Sequence, residues 1–211
     1  MMAYLTTLVV LVSVAALVGL ALNFQWGVAG LVNFGVVGFV ALGAYAAALL
    51  SPPLGWFGGM IAAAAICAVA STVLAFLSVR LEEDYLAIVT IGFGEIVRVL
   101  LLNEDWLTGG ALGITNIPRP LVSFAPAGSY DVVLLFFAML LVGSVYLLLE
   151  TLVRSPLGRV LRAVRDDSTA ASALGKPVLV LRVKAFAIGG AVMGIAGALH
   201  AFYLTYIDPC H

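Results

Sequence analysis

The first 79 residues, Met1 to Val79, contain no Asp, Glu, Lys, Arg or His. A soluble domain of this size needs a polar exterior, because charged side chains are almost always exposed to water. Over the whole chain of 211 residues, 64% are hydrophobic and 10% are charged, whereas an average soluble domain carries roughly a quarter charged residues. Lipid must therefore solvate the exterior, and the sequence predicts a membrane protein.

Six apolar segments approach the ~20 residues that a helix needs to cross ~30 Å of hydrocarbon. They are Tyr4–Leu22, Gly27–Leu50, Phe57–Val79, Tyr85–Leu102, Asp131–Leu149 and Ala185–Tyr206. The first segment lacks a basic n-region, so we interpret it as a retained span rather than a signal peptide. The sequence thus predicts an all-α, polytopic transmembrane helical bundle of about six spans, in which residues 1–211 form a single domain. Five glycines in the second segment allow a break there.

The distribution of basic residues predicts the orientation of the chain in the membrane. The connection 150–184 holds seven of the ten Lys and Arg residues, and such residues are retained on the cytoplasmic side of short loops. The connection 103–130 holds only Arg119 and is therefore predicted to be external. Alternation of the spans then places the N-terminus outside, unless the second segment is re-entrant.

The cytoplasmic connection contains a predicted amphipathic helix from Ser155 to Gly175. Ser155 is a good N-cap, Pro156 suits the first helical position, and Gly175 followed by Lys176-Pro177 is a stop signal. Such a helix, of about five turns, either lies on anionic headgroups or docks onto a cytoplasmic protein. The run Thr169–Gly175 is small and nearly uncharged, and the helix has no aromatic residue, which favours docking.

Polar residues within the spans are candidates for function. Glu95 and Arg98 lie at i and i+3 on the fourth span and share a helix face. They form either an internal ion pair that determines helix packing or part of the lining of a translocation path. Asn33, in the glycine-rich second segment, either bonds to a neighbouring helix or contacts a substrate in an unwound stretch.

Small residues recur every four positions on the last span, at Gly190, Gly194 and Ala198. This spacing permits close helix packing. In a chain of six spans we expect this stripe to face lipid, so that further spans would be needed to cover it. His200 has no acidic neighbour in the sequence, and we interpret it as an interface residue.

Three longer stretches resemble a known family. They are GLVNFGVVGFVALGAYAAALL (Gly30–Leu50), EDYLAIVTIGFGEIVRVLLLNEDWLTGGALGI (Glu83–Ile114) and SPLGRVLRAVRDD (Ser155–Asp167). These stretches resemble the branched-chain and neutral amino-acid permeases of the LivM type, which are subunits of bacterial ABC importers. Ala170-Ala171-x-x-x-Gly175 also resembles the core of the coupling loop by which such permeases engage their ATPases, although Thr169 stands where many of these loops have Glu.

The resemblance implies a permease subunit that moves branched-chain or other neutral amino acids across the bacterial inner (plasma) membrane. It implies four kinds of partner: a second permease subunit of the LivH type, two cytoplasmic ATP-binding subunits, a periplasmic or lipid-anchored substrate-binding protein, and the lipid bilayer. No nucleic acid is expected. The chain lacks the Gly-x-x-x-x-Gly-Lys-Ser/Thr phosphate loop, so ATP and Mg are expected on the ATPase, and this chain is expected to have no cofactor, metal or catalytic residue.

The candidate site residues fall into three groups. Coupling to the ATPase is predicted for Arg162, Arg165, Asp166, Ala170, Ala171 and Gly175. The translocation path is predicted to include Asn33, Glu95 and Arg98, and docking of the binding protein is predicted for Thr108, Gly109 and Gly110.

Two further expectations concern mechanism and extent. The alternative function is an ion-coupled secondary transporter of small zwitterionic solutes, which needs an ion site at mid-membrane. Glu95 is the only acidic residue in the middle of a span, and Arg98 is expected to neutralise it.

Permeases of the LivM type continue with further spans after a junction similar to Tyr206–Pro209, so we expect the chain to be truncated at its C-terminus.

Overall fold

The structure, a computed structural model, describes residues 2–77, 83–122 and 130–208. Its helices are α1 (Met2–Leu22), α2 (Val36–Leu77), α3 (Glu83–Asn103), α4 (Asp105–Thr108), α5 (Tyr130–Arg154), α6 (Pro156–Asp166), α7 (Ser168–Ala173) and α8 (Val178–Leu204). A π-helical turn, Asn23–Val28, continues α1, and a 3-10 turn, Gly110–Leu112, follows α4. Two short strands, β1 (Ile114–Thr115) and β2 (Tyr206–Ile207), complete the described elements.

Five of the described helical segments are long and apolar enough to cross a membrane. One of them, α2, has 42 residues and would be about 63 Å long if straight, twice the hydrocarbon thickness. It is not straight, because Gly55 leaves the helical conformation at φ 74° and ψ 166°. The Cys67 thiol donates to the Phe39 carbonyl at 3.3 Å across 28 residues of sequence, so α2 folds back on itself.

Helix α2 therefore consists of two antiparallel arms, residues 36–54 and 56–77. With α1, α3, α5 and α8, the described residues contain six apolar helical segments of about the length that a span needs. This result confirms the predicted transmembrane bundle, with about six spans.

The predicted start of the second span, at Gly27, is wrong. Helix α1 continues through its π turn to Val28, residues 29–35 are not helical, and α2 begins at Val36. The break that the glycines of this region allow is thus present. We call residues 23–35, the π turn and the non-helical stretch after it, the broken segment.

Helix α8 is packed against both arms of α2 through glycine contacts. A Cβ atom added at Gly194 would lie 2.6 Å from the Ala63 carbonyl oxygen and 2.9 Å from the Cys67 Cβ. A Cβ added at Gly43, on the other arm, would lie 2.6 Å from the Gly194 Cα. The helices therefore touch at their backbones, as small residues allow.

The small-residue stripe on α8 does not face lipid, contrary to our expectation. Gly190 and Gly194 are buried against α2, and Ala198 has no exposed surface. The reversal at Gly55 supplies the covering helix from within the chain, which the spacing of small residues could not indicate.

The ends of the helices sort onto two sides of the bundle. Strand β2, after α8, pairs antiparallel with β1 of the external loop, with Ile114 opposite Ile207. The Tyr203 hydroxyl donates to the Thr7 hydroxyl at 2.6 Å, which places the start of α1 on this same side. Helices α6 and α7 follow the opposite end of α5. The N-terminal end of α1 thus lies on the side opposite the basic loop, as predicted.

We expect Gly194→Ala to destabilise the bundle, because the added methyl group has no space between α8 and the two arms of α2. Overpacking of this kind costs about 1–3 kcal/mol. Unfolding in mixed detergent micelles measures the loss. The control is Gly143→Ala on α5, where an added Cβ would meet nothing within 4 Å. Equal stability of the two variants would contradict the close contact.

Candidate functional site

The broken segment is held together by two buried amide side chains. Gln25 is completely buried, and its Nε2 donates to the Phe186 carbonyl of α8 at 3.1 Å. Its Oε1 accepts a hydrogen bond from Asn33 Nδ2 at 3.0 Å. Asn33 Oδ1 in turn accepts from the Gly35 N–H at 2.9 Å. The two amides therefore satisfy each other and the interrupted backbone, which has no helical partners here.

Helix α3 also holds the broken segment. The Thr90 hydroxyl accepts a hydrogen bond from the Phe34 N–H at 3.0 Å and donates to the Ala87 carbonyl of its own helix at 2.8 Å. Phe34 and Gly35 are thereby fixed beside α3.

A cavity of about 730 Å³ lies between the broken segment, the first arm of α2, α3, α8 and β2. It extends from Phe34 and Gly35 of the broken segment to Tyr206 and Ile207 of β2. Most of its wall is apolar, with contributions from Val18, Val36, Val40, Ala41, Ile91, Leu101, Leu204 and Ile207. Its ionisable lining residues other than tyrosine are Glu95, Arg98, His200 and Asp208.

Glu95 and Arg98 form an ion pair on the wall of this cavity. Arg98 Nη2 lies 2.6 Å from Glu95 Oε1, and Arg98 Nε lies 3.0 Å from Glu95 Oε2. The side chains are 57% and 52% exposed, respectively, although they lie in the middle of a span. Charged residues in spans usually face a bundle interior or a water-filled space, and the cavity supplies such a space.

Asp208 adds a further acidic group to the cavity. Within the described part of the chain, its Oδ1 is buried and has no hydrogen-bond partner. A buried carboxylate oxygen without a donor is costly, so this atom can accept a hydrogen bond from a solute in the cavity. The sequence analysis missed Asp208, because it lies beyond the last span and only the β1–β2 pairing brings it back to the cavity.

The three path candidates occupy different positions. Glu95 and Arg98 line the cavity, whereas Asn33 is 2% exposed and is not among its lining residues. The sequence analysis did not single out Gln25, the partner of Asn33. An amide in an apolar run is a detectable signal, since such groups bond between helices in membranes.

The predicted cytoplasmic helix is in fact two helices, α6 and α7, so the expected continuous helix is wrong. Asp167 separates them with an extended backbone, φ −154° and ψ 101°. Its Oδ1 accepts the N–H groups of Thr169 and Ala170, both at 2.9 Å, and so caps α7. Pro156 occupies the first turn of α6, and Gly175 has the left-handed conformation expected after a helix.

The coupling candidates do not all face outward. Ala170 and Gly175 are exposed, and Leu174 beside them is 80% exposed. Ala171 is buried. Ala170, Leu174 and Gly175 form the exposed tip of α7, and Leu174 was not among the predicted coupling residues.

The three charged coupling candidates lie on α6 and make contacts within the chain. Arg162 Nη2 donates to the Val153 carbonyl at 3.0 Å. Arg165 Nη1 donates to the Gly27 carbonyl of the broken segment, and Arg165 Nη2 donates to Asp166 Oδ1 at 2.9 Å. Asp166 is itself exposed.

The external docking candidates lie in a tight turn after α4. Thr108 is buried, with its hydroxyl 2.7 Å from the Leu101 carbonyl, and it accepts the Gly110 N–H at 3.2 Å. Gly110 is also buried, whereas Gly109 is exposed. Thr108 and Gly110 therefore shape this loop from inside, and Gly109 lies on its surface. The structure describes the external loop as far as Val122.

Six crossings around a partly polar, solute-sized cavity define a multi-pass α-helical membrane protein with the architecture of a transport component. Residues 4–210 match the model of the family described as branched-chain amino acid transport system / permease component. The chain belongs to this family, as the sequence resemblance predicted.

Similar proteins come from bacteria and an archaeon. The chain is 38% identical to the high-affinity branched-chain amino acid transport system permease protein LivM of Escherichia coli, over 92% of the chain and 51% of the relative. The LivM of Salmonella typhimurium gives the same values. A probable branched-chain amino acid transport permease protein LivM of Methanocaldococcus jannaschii is 29% identical over 90% of the chain and 65% of the relative.

The chain thus spans about half the length of the two bacterial relatives. No solved structure matches it.

We expect Glu95→Gln and Arg98→Gln each to lower the yield of folded protein in membranes, because each removes the opposite charge that neutralises its partner within a span. The double variant should recover part of the loss. Glu150→Gln is the matched control, since Glu150 pairs with Arg154 at 2.6 Å at the water-exposed end of α5. Size-exclusion profiles of detergent extracts measure the yield. A double variant that loses as much as both single variants together would contradict the pairing.

Proposed function

We propose that this chain is a membrane-spanning permease subunit of an ATP-driven importer for branched-chain or other neutral amino acids. Its membership of the permease family supports this function, as does its similarity to relatives that carry the name of branched-chain amino acid transport permeases. The resemblance of Ser155–Asp167 to LivM-type permeases, and of Ala170-Ala171-x-x-x-Gly175 to the core of their coupling loop, supports the ATP-driven class.

The observation that carries the proposal is the chemistry of the cavity. A neutral amino acid has an ammonium group, a carboxylate group and, in the branched-chain case, an aliphatic side chain. Arg98 supplies a cation, Glu95 and Asp208 supply anions, and the remaining wall is mostly aliphatic. A volume of about 730 Å³ lies within the range usual for small-molecule sites. Arg98 would thus attract the carboxylate group, and Asp208 the ammonium group.

The proposed subunit works with partners. Two ATP-binding subunits would bind ATP and Mg and would contact the exposed tip of α7 on the cytoplasmic side. A second permease subunit of the LivH type would complete the translocation path. A periplasmic or lipid-anchored binding protein would deliver the amino acid to the external loop, where Gly109 is exposed. Such an importer belongs in the inner membrane of a bacterium.

The energy source is the test of the proposed function. The chain is co-expressed with its neighbouring transport genes, reconstituted in proteoliposomes and assayed for uptake of radiolabelled leucine with its binding protein. We expect uptake to require ATP on the side of the membrane that the cytoplasmic helices face. We also expect it to persist after ionophores abolish the proton and sodium gradients. Uptake that survives without ATP but stops with the ionophores would instead support an ion-coupled transporter.

We expect Ala170→Arg to weaken binding of the ATP-binding subunit, because it places a long charged side chain on the exposed tip of α7. A tenfold weakening corresponds to about 1.4 kcal/mol, and co-purification at several salt concentrations measures it. Ala163→Arg is the matched control, since Ala163 is also exposed but lies on α6. If both variants co-purify with as much ATP-binding subunit as the unaltered chain does, the tip of α7 is not the contact.

A further inference from the structure

The cytoplasmic helix α6 is bonded directly to the broken segment through Arg165. The carbonyls of Phe24, Gln25 and Trp26 accept the N–H groups of residues 29, 31 and 30, respectively. The next carbonyl, that of Gly27, accepts a hydrogen bond from Arg165 Nη1. Carbonyl groups at the end of a helix lack intrahelical partners and carry partial negative charge, so a guanidinium group is a suitable donor.

The guanidinium group is held in this orientation from two sides. Asp166 Oδ1 accepts from Arg165 Nε at 3.1 Å and from Nη2 at 2.9 Å. A Cβ atom added at Gly30 would lie 2.5 Å from the Arg165 Cγ, so the aliphatic stem of the arginine lies against the backbone of Gly30. Arg165 therefore contacts both sides of the turn at which the broken segment reverses.

The same segment reaches the cavity through a short series of hydrogen bonds. Gln25 is bonded to Asn33, and Asn33 to the backbone of Gly35. Gly35 and its neighbour Phe34 line the cavity, and Thr90 bonds Phe34 to α3. Helix α3 carries the ion pair of Glu95 and Arg98. The turn that Arg165 contacts is thus joined to the wall of the cavity through bonded neighbours.

We infer that Arg165 is a positioning residue that joins the cytoplasmic helices to the broken segment, so that movement of α6 and α7 moves Phe34 and Gly35. This inference rests on the proposed function, because it assumes that a partner ATPase moves α6 and α7. It assigns to Arg165 a role different from docking. Its side chain is 39% exposed and is bonded within the chain, whereas the tip of α7 is the exposed surface.

The test separates transmission of movement from binding of the ATPase. The complete transporter is reconstituted with its ATP-binding subunits, second permease and binding protein, and both ATP hydrolysis and leucine uptake are measured. Arg165→Met keeps the aliphatic stem but removes every donor. We expect the ratio of leucine taken up to ATP hydrolysed to fall about tenfold, within the range of coupling between sites.

Two matched variants accompany this change. Arg159→Met removes an exposed arginine of the same helix and should leave the ratio unchanged. Arg165→Lys keeps one donor nitrogen and the positive charge, and should restore about half of the ratio of uptake to hydrolysis, because an ammonium group can still reach a helix-end carbonyl.

Several outcomes would overturn the inference. An unchanged ratio in Arg165→Met, whether both rates fall together or neither falls, would show that Arg165 acts in docking or has no role in coupling. If Arg165→Met does not assemble, Asp166→Asn decides, since it weakens the ion pair that orients the guanidinium and leaves Arg165 in place. If Asp166→Asn then shows the same ratio of leucine taken up to ATP hydrolysed as the unaltered transporter, the inference is overturned.

Failure of the proposed function gives a different result. In that case the unaltered transporter takes up no leucine on addition of ATP, and the inference falls with the proposed function. A transporter that works with ATP but shows the same ratio in every Arg165 variant would overturn the inference alone.

Discussion

The arrangement of this chain depends on a helix that is interrupted inside the membrane and on the hydrogen bonds that make the interruption tolerable. Hydrocarbon offers no hydrogen-bond partners, so non-helical backbone survives there only when protein groups or a water-filled space satisfy it. Gln25 and Asn33 supply those groups, together with the hydroxyl of Thr90. Because these side chains also bond to α3 and α8, the interruption determines where its neighbours lie.

The second constraint is the close packing of the surrounding helices. Gly194 of α8 touches both arms of α2, and a Cβ added at Gly38 would lie 2.6 Å from the Gly94 Cα of α3. The rings of Phe39 and Phe93 lie beside this contact, with centroids 4.7 Å apart. Backbones this close cannot slide past one another without steric clashes. The walls of the cavity are therefore closely packed, and the hydrogen bonds of Gln25, Asn33 and Thr90 join the broken segment to them.

Elements of this chain lie at both ends of the bundle and contact the cavity or the broken segment from each side. On the cytoplasmic side, α6 contacts the turn of the broken segment, and α7 presents an exposed tip. On the outer side, the short β1–β2 ladder brings Asp208 to the mouth of the cavity. The cavity thus lies between an external loop and a pair of helices on the opposite side of the bundle.

Much of the fold was predictable from the sequence, because the lipid bilayer requires spans of a set length that are almost free of charge. The absence of charge before Arg80 and the lengths of the apolar runs indicated a transmembrane bundle. The clustering of basic residues predicted its orientation. These features also indicated the helix after Ser155, and the spacing of Glu95 and Arg98 predicted their pairing. These are local properties of the sequence. They can be interpreted with two known lengths, the thickness of the hydrocarbon layer and the period of the α-helix. The tertiary structure alone decided that the two arms of α2 bury the stripe on α8 and that Gln25 and Asn33 satisfy each other. It also decided that Asp208 reaches the cavity and that Arg165 reaches the broken segment. Each of these contacts joins residues far apart in sequence, and their partners are chosen by three-dimensional packing and by the need to satisfy buried polar groups, which no local pattern records.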